Sequence, residues 1–309
     1  MSTPGPLLER AVAIGGGHGL ARTLAALRDI ADEVVAIVTV ADDGGSSGRL
    51  RRDLDVVPPG DLRMAITALA QRPRLAEVIA YRFPRGELGG HSLGNLVLVA
   101  LQDLHDGDVV AALDELSVHL GVGGRVLPCT TEPVTLHASS AAGGVSGQAA
   151  ITETARLRRV WLSPAAPAAT PAALAAIGQA ELIVLGPGSL YTSLLPNLLV
   201  PGIATALRDT PAPVVLVANL REQPGETEGM DLAEHLDVLA DHAPEVRIDA
   251  ILVHEGARPS GSGRALDARE PRLADHDIAV HTAALLDHGD GHDPAALSRA
   301  LGEVWAKLR

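Results

Sequence analysis

Short apolar runs recur along this chain, and they constrain its fold more than any other feature. Their residues are apolar almost continuously, which is typical of strands buried on both faces of a parallel sheet. Helically spaced leucines separate the first two runs, so the chain opens with a strand–helix–strand unit. We therefore predict an α/β fold with a mostly parallel sheet flanked by helices. The runs are Ala11–Ile14, Val34–Val40, Leu182–Leu185, Val214–Val217 and Ile251–Val253.

The composition limits both the core and the partners. Of the 309 residues, 47% are hydrophobic and 2% are aromatic, so Ala, Val, Leu and Ile must build the core. Single-stranded nucleic acid, which binds through aromatic stacking, is not an expected partner. The net charge of −13 also repels nucleic acids and anionic lipids, but a local group of N–H donors and arginines can still bind a small anion. The single cysteine, Cys129, excludes an intramolecular disulfide.

The sequence carries no sign of membrane targeting. Residues Met1–Arg10 lack a basic segment followed by an apolar one, and no run of about 18 apolar residues occurs. We expect one cytoplasmic α/β domain over residues 1–309, with no membrane insertion. Residues 255–270 are rich in Gly, Ser, Arg and Pro and predict a mobile loop. Asp293-Pro294 predicts the start of a C-terminal helix over about 294–308.

Polar motifs directly follow the first two predicted strands. Gly15–Gly19 reads GGGHG, and Thr39–Arg51 joins the carboxylates Asp42 and Asp43 to a Gly/Ser stretch and arginines. Carboxylates bind metals or ribose hydroxyls, whereas Gly-rich backbone and arginines bind phosphate oxygens. The first motif is not a Walker A sequence and lacks the last glycine of the dinucleotide fingerprint. Phosphate contact at a helix N-terminus and a plain strand-to-helix turn both fit it.

Further polar motifs lie at the ends of other predicted elements. Gly186–Ser193 and Asn219 each follow an apolar strand, and Gly89–Asn95 opens an apolar helix. Because the C-terminal ends of parallel strands share one edge, we expect these motifs to converge on a ligand site there. Each also has a structural interpretation as a turn, a helix cap or core packing. Tyr191, for example, fits stacking on a base and packing in the core equally well.

Three groups of candidate metal ligands or nucleophiles remain. Asp43 and Asp61 are the candidate metal pair, although Asp61 also fits a helix N-cap. His288 and His292, with neighbouring aspartates, lie in a Gly-rich stretch before a capped helix, so we interpret them as a solvated turn. Cys129 is interpreted as a small buried hydrophobe.

Together these motifs resemble the gluconeogenesis factor family, within the superfamily of 2-phospho-L-lactate transferase (CofD-like) proteins. The resemblance spans about Ala11–Val253, and His18 departs from the Thr expected in many members. The matching segments are GGGHGL at 15–20, TVADDGGSSGRLR at 39–51, PPGDLR at 58–63, YRF at 81–83, GHSLGN at 90–95, GPGSLYTSLLPNLLVPGI at 186–203 and QPGET at 223–227.

The resemblance implies a Rossmann-like fold with a ligand site at the strand C-terminal edge. It implies a protein that has no catalytic residues and requires no cofactor. Such a protein binds a nucleotide sugar such as UDP-N-acetylglucosamine, and it links carbon metabolism to cell-wall synthesis and cell shape. Base or ribose contacts would come from near Asn219, and Asp43 and Asp61 would hold any Mg²⁺ that accompanies the nucleotide. The implied ligand-binding residues are Gly16, Gly17, His18, Gly19, Asp42, Asp43, Gly44, Gly45, Ser46, Ser47, Arg49, His91, Asn95, Gly186, Gly188, Ser189, Tyr191, Thr192 and Asn219.

Two other functions remain as alternatives. The transferase branch of the superfamily joins a phospholactyl group from a guanylylated donor to a deazaflavin, with a divalent metal. We rank it second because the chain has few aromatic residues to line a flat pocket. A nicotinamide-dependent dehydrogenase is disfavoured by the incomplete glycine fingerprint. A homodimer and a protein partner in cell-wall synthesis or cell shape stay open.

Overall fold

A parallel sheet of seven strands and a small antiparallel sheet of three strands organise the chain. The structure, a computed structural model, describes residues 6–141 and 143–309. Residues 1–5 and Ala142 lie outside the described residues. Residues 1–5 are part of the predicted domain and of the segment Met1–Arg10 on which the targeting prediction depends. The strands are Leu8–Gly15 (β1), Ala31–Val38 (β2), Gly124–Pro128 (β3), Thr135–Ser140 (β4), Gly143–Ser146 (β5), Leu157–Ser163 (β6), Leu182–Leu185 (β7), Val214–Val217 (β8), Ala250–His254 (β9) and Ala279–Ala283 (β10).

Helices connect these strands and cover the parallel sheet. They are Gly17–Leu27 (α1), Gly45–Leu54 (α2), Gly60–Leu69 (α3), Pro73–Ala80 (α4), Leu93–Leu104 (α5), Val109–Leu120 (α6), Gln148–Thr152 (α7), Pro171–Gly178 (α8), Leu195–Leu198 (α9), Pro201–Asp209 (α10), Leu232–His242 (α11) and Pro294–Leu308 (α12). A π-helical turn at Leu190–Leu194 precedes α9, and a 3₁₀ helix spans Pro271–Asp275. Strands β7 and β8 are buried at every residue, so helices pack on both faces of the sheet.

The strand order places a topological switch point beside β1. The sheet runs β10-β9-β8-β7-β1-β2-β3, and every neighbouring pair is parallel. From β1 the chain builds outward to β2 and β3, then returns to the other side of β1 as β7. A crevice forms outside the strand ends at such a reversal. The predicted α/β fold with a parallel sheet is confirmed.

Element boundaries differ from the sequence-based prediction at two places near this edge. Strand β2 begins at Ala31 and ends at Val38, before the predicted end at Val40. The Gly/Ser stretch after Asp43, for which the sequence predicted no element, is helical from Gly45. Glycine and serine have low helix propensity, so the composition of this stretch carries no helix signal.

Within the described ranges, no single helix is long and apolar enough to cross a membrane. The bent pair formed by Leu190–Leu198 and Pro201–Asp209 meets that criterion by length and composition only.

Candidate functional site at the switch point

An open cleft of about 490 Å³ lies at the switch point, outside the ends of β1, β7 and β8. We call it the switch-point cleft. Backbone of Gly19, Pro187 and Gly188 forms its floor, and the segment before α12 contributes a further wall. The polar side chains that line it include His18, Arg22, Asn219, Arg221, Gln223 and His292.

The loops after β1 and β7 touch each other at the base of the cleft. A Cβ atom on Gly19 would lie 2.2 Å from the Pro187 carbonyl oxygen, so this approach requires glycine. The side chain of Asn219, which follows β8, holds the loop after β7 in place. Its Oδ1 accepts from the Gly188 N–H at 3.0 Å, and its Nδ2 donates to the Gly188 carbonyl at 2.9 Å. Three strand ends are thereby joined around one opening.

Residues after β8 support the π-helical turn behind the cleft. Gln223 Nε2 donates to Ser189 Oγ at 2.9 Å. The buried carboxylate of Glu226 accepts from the backbone N–H groups of Tyr191 and Thr192 at 2.8 and 3.1 Å. Burial raises the pKa of the Glu226 carboxyl. The backbone donors of Tyr191 and Thr192, two of the predicted ligand-binding residues, are therefore used within the protein.

Tyr191 lies in the core. Its side chain is 2% exposed, and its ring meets that of His242 edge-on at 6.1 Å between centroids. Burial raises the pKa of its hydroxyl to about 12. Of the two interpretations of Tyr191, core packing is the one that the structure shows.

His292 is part of the cleft wall, so its interpretation as a solvated turn residue is wrong. The side chain is buried, and Nε2 lies 3.1 Å from the Ala218 carbonyl oxygen, to which it donates. Burial lowers the pKa of the imidazole to about 4, which keeps it neutral at pH 7. Its neighbour His288 is exposed, as expected. Cys129 is buried with its thiol pKa raised to about 12, which confirms its structural interpretation.

The acidic motif after β2 lies on the other side of β1 from β7. Asp42 Oδ1 accepts from the Gly44 N–H at 2.9 Å. Asp61 packs against the backbone of Gly16, and burial together with the charge of Asp42 raises the pKa of Asp61 to about 7. Asp43 faces α7 instead, where its Oδ1 accepts from the Ala149 N–H at 2.9 Å.

The structure therefore places Asp42, the residue before Asp43, beside Asp61. Asp61 lies in the first turn of α3, whose N-cap is Pro59, so it is not the N-cap that the sequence suggested. Within residues 6–141 and 143–309, no three His, Cys, Asp or Glu side chains are grouped so that they could hold a metal. The pairing of Asp43 with Asp61 at a metal stays a prediction.

Ser46 of the same motif belongs to a buried hydrogen-bond network, which we call the Ser46 network (Ser46, Arg63, His91 and Asn95). Ser46 Oγ lies 3.0 Å from His91 Nδ1 and accepts from Asn95 Nδ2 at 3.0 Å. Asn95 Oδ1 accepts from Arg63 Nε at 3.1 Å. All four residues are at most 9% exposed. Burial lowers the pKa of His91, which favours the neutral ring in this network. The network ties α2, α3 and α5 together.

Comparison with known proteins places this architecture in a family. The sequence model described as 2-phospho-L-lactate transferase CofD matches residues 11–286. The chain belongs to the CofD family.

The relatives of this chain are named gluconeogenesis factors, whereas the family model is described as a transferase. A Mycobacterium tuberculosis protein named "Putative gluconeogenesis factor" is 47% identical over 96% of this chain and 90% of its own length. The Bacillus subtilis "Gluconeogenesis factor" is 43% identical over 85% of this chain and 84% of its own. A crystal structure of a UPF0052 family member from Bacillus halodurans has a TM-score of 0.89 and 37% identity, covering 96% of this chain and 99% of that one.

The residues predicted for the site in this CofD-family chain divide into two sets. Four of them, His18, Gly19, Gly188 and Asn219, line the switch-point cleft. Others surround it or lie across β1. Gly16 and Gly17 begin α1, Gly44, Gly45 and Ser47 begin α2, Arg49 donates to the Gly89 carbonyl at 2.8 Å, and Gly186 ends β7 with φ of +69°.

Sequence reasoning missed the cleft residues Arg22, Arg221, Gln223 and His292. For two of them a signal was present. Arg22 follows His18 by one helical turn, and Gln223 begins the QPGET segment just after a predicted strand.

Proposed function

We propose that this protein binds a nucleotide sugar of the UDP-N-acetylglucosamine type in the switch-point cleft and acts as a regulatory protein. Its role would link carbon metabolism to cell-wall synthesis and cell shape. The observation that carries the proposal is the position of the cleft at the reversal of strand order, where open parallel sheets bind nucleotides. The relatives named gluconeogenesis factor support the metabolic part.

The chemistry of the cleft suits such a ligand. Its volume of about 490 Å³ falls in the usual range for small-molecule sites. Arg22 and Arg221 supply cations for phosphate oxygens, and the exposed His18 lies in the first turn of α1, the end of a helix that favours anions. Asn219 and Gln223 also line the cleft, where their amides hold Gly188 and Ser189 in place, and we propose that the base or ribose binds near them.

Mg²⁺ fits beside this cleft as a companion of the nucleotide. Burial and, second to it, the charge of the adjacent Asp42 raise the pKa of Asp61, and a divalent cation would favour the ionised pair. One or two carboxylates together with ligand phosphates form a common magnesium site. Asp61 would hold the ion beside Asp42, and the ion would neutralise phosphate charge. Asp43, the second predicted ligand, faces α7 and would have to turn from the Ala149 N–H to join them.

The proposal extends to the location of the protein and to its partners. We propose that the protein works in the cytoplasm and acts on a protein partner in cell-wall synthesis or cell shape. A homodimer is compatible with this role.

Calorimetric titration tests the ligand. UDP-N-acetylglucosamine, UDP-glucose, GDP and NAD are each titrated into the protein, with and without Mg²⁺. We expect saturable binding of a UDP-sugar and no product after incubation.

His18→Ala should weaken that binding about tenfold, because it removes an exposed polar group at the cleft. The matched control is His119→Ala, an exposed histidine on α6, which should bind as the wild type does. No UDP-sugar binding, or equal effects of both variants, contradicts the proposal.

A second candidate function is the transferase activity that the family model describes. Metal-dependent formation of a phospholactyl-deazaflavin from a guanylylated donor would establish it. A preference for GDP over UDP-sugars in the calorimetric titration would make this assay the next step.

A further inference from the structure

Two arginines that line the switch-point cleft are each paired with an aspartate of one short turn. Arg22 Nη2 lies 3.2 Å from Asp287 Oδ2, and Arg221 Nη2 donates to Asp290 Oδ2 at 2.9 Å. Residues 287–291 are called the acidic turn. It lies directly before α12, and Asp290 and Gly291 line the same cleft. Both cleft arginines are thus occupied by carboxylates of this chain.

The acidic turn is built to present these carboxylates. Asp287 Oδ1 accepts from the N–H groups of Gly289 and Gly291 at 2.8 and 3.1 Å, which leaves Oδ2 for Arg22. Asp290 Oδ1 accepts from Ser260 Oγ at 3.0 Å. The N–H donors hold the pKa of Asp287, and the Arg221 guanidinium that of Asp290, below the usual range. Both side chains are therefore anionic at neutral pH.

A carboxylate and a phosphate present similar pairs of oxygens to a guanidinium group. We propose that Arg22 and Arg221 form a subsite for the diphosphate group of the cleft's ligand, and that the acidic turn occupies this subsite until the ligand displaces its carboxylates. The identity of the ligand as a nucleotide diphosphate sugar rests on the proposed function. The subsite itself requires only an anion with several phosphate oxygens.

The exposure of the pairs makes this exchange feasible. The side chains of Arg22 and Asp287 are 45% and 17% exposed, and those of Arg221 and Asp290 are 24% and 40% exposed. Ion pairs this accessible to water are weak, so an incoming ligand loses little by breaking them. A diphosphate carries more charge than either carboxylate, and both arginines line the one cleft that it would enter.

The test compares inorganic pyrophosphate and UDP-N-acetylglucosamine by calorimetry at one fixed ionic strength. Asp290→Asn removes the competing charge while keeping an oxygen for Ser260. We expect it to bind both probes about two- to fivefold more tightly than the wild type, the range of one exposed ion pair. Arg221→Gln should bind both about tenfold more weakly. The control is Asp114→Asn, which breaks a pair with Arg125 of similar exposure, at 41% and 40%, outside the cleft. It should leave both affinities unchanged.

Each outcome decides the inference. Unchanged or weaker binding to Asp290→Asn overturns displacement, and so does tighter binding to Asp114→Asn by the same factor. Pyrophosphate binding that survives Arg221→Gln, or that is absent from every variant, overturns the subsite. If pyrophosphate responds as expected while UDP-N-acetylglucosamine does not bind the wild type, the subsite stands and the proposed function fails. Thermal unfolding of each variant confirms that it is folded.

Discussion

Two polar regions border the same edge of the sheet, and they differ in where their hydrogen-bonding capacity goes. In the Ser46 network the side chains of α2, α3 and α5 satisfy one another and are buried. In the switch-point cleft, His18 is exposed and Arg22 and Arg221 meet only partly buried carboxylates. The longer and more conspicuous motif, Thr39–Arg51, contributes Ser46 to the closed region and no residue to the lining of the cleft, so a distinctive polar motif is not by itself an open site.

The comparison predicts that the closed region governs stability and that the cleft governs binding. Asn95→Ala is the variant with the largest expected effect on stability. It leaves the buried Arg63 Nε–H without its acceptor and removes one of the two buried partners of Ser46 Oγ, which keeps His91. We expect the free energy of unfolding to fall by about 3 kcal/mol in denaturant titration. At a temperature where the variant is folded, UDP-N-acetylglucosamine should bind it within about twofold of the wild type. A tenfold loss of affinity would erase the distinction between the two regions.

The pH dependence of stability tests whether His292, at the border of the cleft, is buried. Its pKa is about 4 in the folded protein and about 6.5 when unfolded. Between these values the unfolded chain binds a proton that the folded protein does not, so stability falls as pH decreases from 6.5 toward 4. We expect this group to account for about 2 kcal/mol of the loss. Denaturant titrations at several pH values should show a smaller loss for His292→Gln.

The matched control for that pH series is His288→Gln. His288 is exposed in the same turn, so its removal should leave the pH dependence of stability as in the wild type. Equal slopes for the two variants would mean that His292 is solvated after all.

Gln223→Ala tests whether a residue of the cleft affects ligand affinity more than stability. The residue contacts Ser189 and borders open space, so we expect ligand affinity to fall about fivefold, with stability changed by less than about 1 kcal/mol. Calorimetry and thermal unfolding on one preparation measure both quantities. A large loss of stability with full affinity would assign Gln223 to the scaffold.

Asp43→Asn should have the smallest effect on folding. Asparagine keeps an oxygen for the Ala149 N–H, so the stability change should stay below about 0.5 kcal/mol. Binding of UDP-N-acetylglucosamine should become less dependent on Mg²⁺, by about two- to threefold in affinity. An unaltered magnesium effect would remove Asp43 from the metal site.

The fold was predictable because its signal is local. Runs such as Leu182–Leu185 and Val214–Val217 are apolar throughout, and only a strand covered on both faces uses such a run. The meeting of the loops after β1, β7 and β8 followed from the geometry of parallel sheets. Side-chain direction did not follow. Neighbouring Asp42 and Asp43 turn to α3 and α7, and His292 is buried by elements far away in sequence, which no local pattern encodes.

The contact between Gly19 and the Pro187 carbonyl has a consequence for how such chains can diverge. Any side chain at position 19 would collide with the loop after β7, so a relative with alanine there must carry a rearranged segment at 186–188. The two loops are inherited as a pair. A substitution in one is neutral only in the background of a matching change in the other, although almost 170 residues separate them in the sequence.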